Sequence, residues 1–195
     1  GRQLAAGELD EVDGAIHFVR MRLDQLAAGA KISEENAQRS VLQRYLESPL
    51  DPEIETSLEQ EALNVFRERQ FVLVVVLVDR YRQLVLKRGR AHVDRVRKLA
   101  AKQLQAETED RCFTFMLRPD EVLIVREVGE SVPGPDRLRE WVNSIEETPA
   151  TFSVAYSQNP VDLKRLNITY EALQHAAMYR FFSGHSSTID MPEQT

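Results

Sequence analysis

Phe71-Val72-Leu73-Val74-Val75-Val76-Leu77-Val78 decides the fold. Eight apolar residues in a row, five of them valine, are far too few for the roughly 20 that cross a bilayer. Their β-branched character and lack of polar alternation predict a strand buried on both faces, and so the centre of a sheet. Such a strand needs cover above and below. Upstream, Leu58 to Arg69 has the spacing of an amphipathic helix. Downstream, the spacing predicts one long helix to about residue 104, with Val93, Val96, Leu99, Ala100 and Leu104 as its apolar stripe. Two further apolar runs follow, Phe113 to Leu117 and Val122 to Val128, joined by Arg118-Pro119-Asp120-Glu121. Proline sets φ for the first central position of a turn, so the two runs read as a hairpin.

Farther out, Pro133-Gly134-Pro135 breaks the chain. Arg137 to Glu147 then reads as a helix and Thr151 to Tyr156 as a strand. Asp162 to Ser183 reads as a helix with a break near Asn167, and Ser187 to Asp190 as a last short strand. The order is β, α, β, β, α, β, then α and β. This is the pattern of an α+β domain with a ferredoxin-like, nucleotide-cyclase-like sheet flanked by helices, expected over residues 51–195.

Residues 1–50 have a different period. Leu9, Val12, Ile16, Val19, Leu23 and Leu26 alternate three and four apart, the 3.5-residue repeat of a coiled-coil seam. Glu8, Asp13, Arg20 and Arg22 flank the seam without an attractive pairing, so charge does not set its register. The residues suit a homodimeric seam or an amphipathic helix docked on its own domain; the narrow stripe favours the seam. Ser33 is placed to cap a second helix carrying Val41, Leu42, Tyr45 and Leu46, which Pro49 and Pro52 would end.

The 195 residues are 43% hydrophobic and 29% charged, the composition of an ordinary folded protein. A net charge of -6 argues against a general nucleic-acid binder, yet nine Lys or Arg and one acid fall between Arg80 and Lys102. Most of those cations lie off the apolar stripe, as on a solvated face, although a basic helix also suits phosphate. Cys112 is the single cysteine and excludes an internal disulfide. His17, His92, His175 and His185 lack metal-ligand spacing.

At this point a family resemblance emerges. Arg118-Pro119-Asp120-Glu121-Val122, in the turn between two apolar strands, resembles a degraded GGDEF signature of diguanylate cyclases. Leu77-Val78-Asp79-Arg80-Tyr81-Arg82 resembles that family's DxDxFK stretch. Gly89 and Asp94 fall where its NDxxGHxxGD motif has a glycine and its last aspartate. Ser153-Val154-Ala155 resembles its SxG, and Ala176 with Gly184 its final helix and closing glycine. The similarity runs from about 71 to 190.

The departures bear on chemistry. Joining two GTP molecules requires magnesium to neutralise triphosphate and backbone amides close to the phosphates. Leu77 stands at the family's first metal aspartate. Arg118 and Pro119 replace the two glycines, and proline removes an N–H. Val85 stands at the base-holding asparagine, while Asp94 alone keeps a base-reading position. Glu109 and Cys112 occupy the Arg and Asp of the inhibitory RxxD. The resemblance therefore implies a non-catalytic domain with no cofactor and no metal. Asp79, Asp120 and Glu121 read as helix-capping, turn or solvated residues more readily than as ligands.

A narrower resemblance covers Ile168-Thr169-Tyr170-Glu171-Ala172-Leu173 and Met178-Tyr179-Arg180-Phe181-Phe182-Ser183-Gly184. These are similar to the segment closing the degenerate GGDEF-like domain of membrane-bound, AraC-type (YesN-like) bacterial transcription regulators. Val41 to Leu46 resembles the stretch between their membrane anchor and that domain. The resemblance implies a cytoplasmic relay in an inner-membrane-anchored protein, homodimeric through the N-terminal helix. It would meet the membrane only through an upstream anchor, and DNA only through a downstream helix-turn-helix domain. The alternative expectation is a small-molecule receptor, with the old cleft taking a nucleotide or other anion through Asp94, Arg82 and Arg90.

Overall fold

A computed structural model describes residues 2–47, 57–106, 111–128, 140, 150–178 and 188–190. Its sheet is built around β1 (Phe71–Val78), and all eight residues of that strand are buried. Odd and even side chains enter different cores. Phe71, Leu73, Val75 and Leu77 join the layer beneath the N-terminal and C-terminal helices. Val72, Val74, Val76 and Val78 pack under the basic helix. The continuous apolar run is thus explained by two covered faces.

The other strands are β2 (Cys112–Phe115), β3 (Glu121–Glu127), β4 (Phe152–Tyr156) and β5 (Thr188–Asp190). They give the spatial order β2-β3-β1-β4-β5. β1 runs antiparallel to both β3 and β4, β2 antiparallel to β3, and β5 parallel to β4. The hairpin expected from the prolyl turn is therefore present.

Among helices, α1 spans Arg2–Glu47 without interruption. The two helices expected there are one, and Ser33 is an interior residue rather than a cap. Gly29 and Ser33 each lower helix propensity by a kcal/mol or less, about what the strong helix formers around them and the packing of the last turns override. The last turns of α1 place Ala37, Val41, Leu42 and Leu46 in the core. α2 (Ser57–Phe66) inserts Phe66 edge-on against Phe71 and Phe113, with ring centroids 5.6 and 5.8 Å away.

The single long helix expected after β1 is divided into α3 (Tyr81–Arg88) and α4 (Arg90–Ala106). Gly89 separates them at φ 83°, a left-handed backbone angle that glycine adopts without a Cβ penalty. Val93, Val96, Ala100 and Leu104 of α4 are buried as their spacing predicts. After β4, Asp162 accepts the amide of Arg165 at 3.1 Å and starts a single 3-10 turn, Leu163–Arg165. It runs into α5 (Leu166–Met178), which accounts for the break expected near Asn167. The helix expected over Arg137 to Glu147 lies outside the described residues apart from Glu140, as do residues 179–187 of the closing segment.

Candidate functional site

The β1 end, the 118–121 turn and α5 enclose a cleft of about 790 Å³. Leu77, Arg80, Tyr81 and Arg82 come from the first, Arg118, Asp120 and Glu121 from the second, Gln174, Ala177 and Met178 from the third. Strand pairing builds this convergence. Leu77 lies opposite Glu121 in the register, and the amide of Val78 donates to the carbonyl of Asp120 at 2.8 Å.

Glu121 opens β3 and is 1% exposed. The sequence places it among turn or solvated residues; its side chain instead faces the helical layer, in step with Leu123 and Val125. The Tyr170 hydroxyl donates to Glu121 Oε1, with Gln174 Nε2 at 3.5 Å from the same oxygen. Burial raises the Glu121 carboxyl above its ordinary range, only partly countered by the Tyr170 bond and the Arg118 charge. The Tyr170 hydroxyl is likewise pushed up, by burial first and then by Glu121.

Beneath the turn lies Arg97, a residue the sequence reading passed over. Its Nη2 donates to the carbonyls of Arg118 at 2.7 Å and Glu121 at 2.9 Å, and its Nε to Glu121 at 3.1 Å. Nη1 reaches Asp94 Oδ1 at 3.1 Å. Arg97 is 5% exposed, and it sits four residues after Val93 on the same stripe. A cation at a core-facing position was the available signal. Its hydrogen bonds clamp the turn onto α4 and engage Asp94.

The three residues expected to meet a ligand are therefore not together. Arg82 lines the cleft, Asp94 is paired with Arg97, and Arg90 opens α4 at the surface outside the cleft lining. Asp79 is buried rather than solvated: it is 3% exposed and its Oδ1 accepts from Ser153 Oγ at 2.7 Å. Arg80 holds the cap position of α3 instead, in the left-handed region at φ 52°, with no side-chain cap bond.

A magnesium ion held as the resemblance implies needs oxygen donors from the β1 end and the β3 start. At the first of these places the structure provides a leucine facing a carboxyl already bonded to tyrosine, while Asp79 is bonded to Ser153 and Asp120 lines the turn, so the β1 side lacks the ligand that the resemblance calls for. Among the described residues, no group of three His, Cys, Asp or Glu is arranged for a metal. What the cleft offers is Arg80, Arg82 and Arg118 beside Asp120 and the buried Glu121, around an apolar wall.

On the seam, Val19, Leu23 and Leu26 are 55%, 60% and 69% exposed. Leu9, Val12 and Ile16 lie on the same helix, but their side chains are outside the described set. Farther along α1, Asn167 Nδ2 of α5 donates to the carbonyl of Leu46 at 2.7 Å, a buried bond that ties the end of α1 to α5. No helix among the described residues is long and apolar enough to cross a membrane.

This is a GGDEF-like fold: an antiparallel-centred sheet flanked by helices and preceded by a long N-terminal helix. No family model matches the sequence, and no curated protein matches it. Among solved structures, the active GGEEF domain of a diguanylate cyclase from Vibrio cholerae aligns with TM-score 0.51 at 14% identity, over 70% of this chain and 90% of that one. The diguanylate cyclase SiaD from Pseudomonas aeruginosa, solved with its activator SiaC, gives 0.53 at 18%, over 97% and 80%. The coiled coil and GGDEF domain of DgcB from Caulobacter crescentus, solved with c-di-GMP, gives 0.51 at 12%, over 95% and 98%.

Proposed function

We propose that the chain is a non-catalytic signal relay and dimerisation region of a membrane-bound AraC-type transcription regulator. The observation that carries this reading is the construction of α1. Its last turns belong to the core and its end is bonded to α5, while its earlier part presents Val19, Leu23 and Leu26 to solvent at heptad spacing. A rotation or shift imposed on the seam is transmitted through a stiff rod to Asn167. From there it passes into the helix that heads the 168–184 segment similar to those regulators. Two packings of the seam suffice for such a relay; reactive groups are not needed. Leu77 at the family's first metal aspartate and Arg118 and Pro119 at both signature glycines agree with this.

Cysteine scanning tests it. With Cys112→Ser as background, Leu23→Cys and Leu26→Cys are expected to crosslink two copies, and Gln25→Cys to stay uncrosslinked. Equal crosslinking at all three positions, or none, contradicts a seam.

A second reading, a receptor for a nucleotide or other anion, is favoured by the three arginines around the cleft. Calorimetry with GTP and cyclic di-GMP, with and without magnesium, tests it. Micromolar binding lost on Arg82→Ala supports the receptor, and no heat at any ratio removes it.

A further inference from the structure

We propose that the groove between α1, α4 and the edge strand β2 is a docking site for an acidic amphipathic segment of a partner protein. This groove, of about 410 Å³, is separate from the cleft and independent of the relay reading. Its rim carries Arg39 from α1 and Lys98 and Lys102 from α4, and its floor Phe115, Met116 and Leu117. Among the described residues no carboxylate lines it and neither lysine has an ion partner.

The groove is preformed, because Arg39 is already held. Its Nη1 donates to the carbonyl of Thr114 at 2.7 Å, and its guanidinium lies 5.7 Å from the centre of the Phe115 ring. That bond also occupies the outer edge of β2, which blocks simple strand addition. Thr114 Oγ1 is buried at this place with no hydrogen-bond partner among the described residues, and Met116 is 40% exposed beside it. Lys98 and Lys102 are one turn apart on the exposed face of α4, with Arg95 continuing the row.

Charge complementarity selects an acidic occupant, and the apolar floor selects one that also brings hydrophobic side chains. A chain of net charge -6 with a partly apolar groove is a poor match for a nucleic-acid backbone. An occupant would touch α1 and α4 at once and bear on the helix that leads into the domain.

The test is a nuclear magnetic resonance titration of the full chain with a designed helical peptide of roughly 20 residues, Glu on one face and Leu on the other. The Gln-for-Glu version, a short DNA duplex and phosphatidylserine vesicles serve as comparisons. The expected result is amide shifts confined to residues 39–43, 98–105 and 114–117. Affinity should weaken about tenfold or more in Lys98→Glu/Lys102→Glu and with added salt, and stay unchanged in Arg82→Glu. The proposal is overturned by an absence of shifts, by shifts around Arg82 and Arg118, or by equal binding of the Gln peptide. It is also overturned if the DNA or the vesicles, and not the Glu peptide, bind in a way that Lys98→Glu/Lys102→Glu abolishes.

Discussion

Leu77 of β1 faces Glu121 of β3 across the antiparallel register. An aspartate in place of Leu77 would set two carboxylates side by side at the mouth of the cleft, an arrangement that calls for a cation. With leucine there, Glu121 is satisfied by Tyr170 and Gln174 from α5 instead. Leu77→Asp is therefore expected to lower Tm, and to recover part of the loss when manganese is added. The parent protein should show no manganese-dependent shift. A parent Tm that rises with manganese would contradict the account of the donor set.

The Glu121 carboxyl is raised, so the folded protein holds this proton more tightly than the unfolded chain does. Its contribution to stability is fully present below the ordinary carboxyl pKa and is lost as pH rises through the folded value. Glu121→Gln removes that loss and should be more stable than the parent at neutral pH. Tyr170→Phe strips the carboxylate of its donor and should cost about 1–3 kcal/mol at neutral pH, less in acid. Urea unfolding across pH measures both. Parallel pH profiles for parent and Glu121→Gln would show that Glu121 ionises normally.

Arg97 binds the turn by its two carbonyls. Arg97→Met keeps the stem in the core and loses the guanidinium, leaving buried acceptors unpaired at a cost of about 2–4 kcal/mol. Hydrogen exchange should quicken at the Val78 and Glu121 amides, which the turn protects. Unchanged exchange there would mean that the turn does not need the clamp.

Asn167 holds the carbonyl of Leu46 in the final turn of α1. Asn167→Ala is expected to cost about 1–2 kcal/mol and to speed exchange in the final turn of α1 and the first of α5 together. Faster exchange in one helix alone would remove this bond from the path between them.

Much of the layout was legible because it rests on periodicity. The unbroken apolar run of β1 announced two covered faces, and Val93, Val96, Ala100 and Leu104 announced the buried face of α4. Hidden residues were polar side chains on core-facing positions: Arg97 four after Val93, Asn167 four after Leu163, and Glu121 in step with Leu123. Their phase on the helix or strand, and not their residue type, is what marks these positions as buried. The extent of α1 was hidden for a different reason. Gly29 and Ser33 imitate a boundary, and only the packing of Ala37, Val41, Leu42 and Leu46 shows why the helix continues. The division at Gly89 required a positive φ that spacing alone does not reveal. The cleft, assembled from residues about 100 positions apart, was legible only as the resemblance implied it, and its arginines only in part.

Sedimentation velocity of the full chain beside Leu23→Glu is the most direct measurement of the relay. The account predicts a concentration-dependent dimer for the parent and a monomer for Leu23→Glu, with equal Tm at concentrations where both are monomeric, because Leu23 is exposed within one copy. A parent that sediments as a monomer at every concentration, or a dimer indifferent to Leu23→Glu, would contradict it.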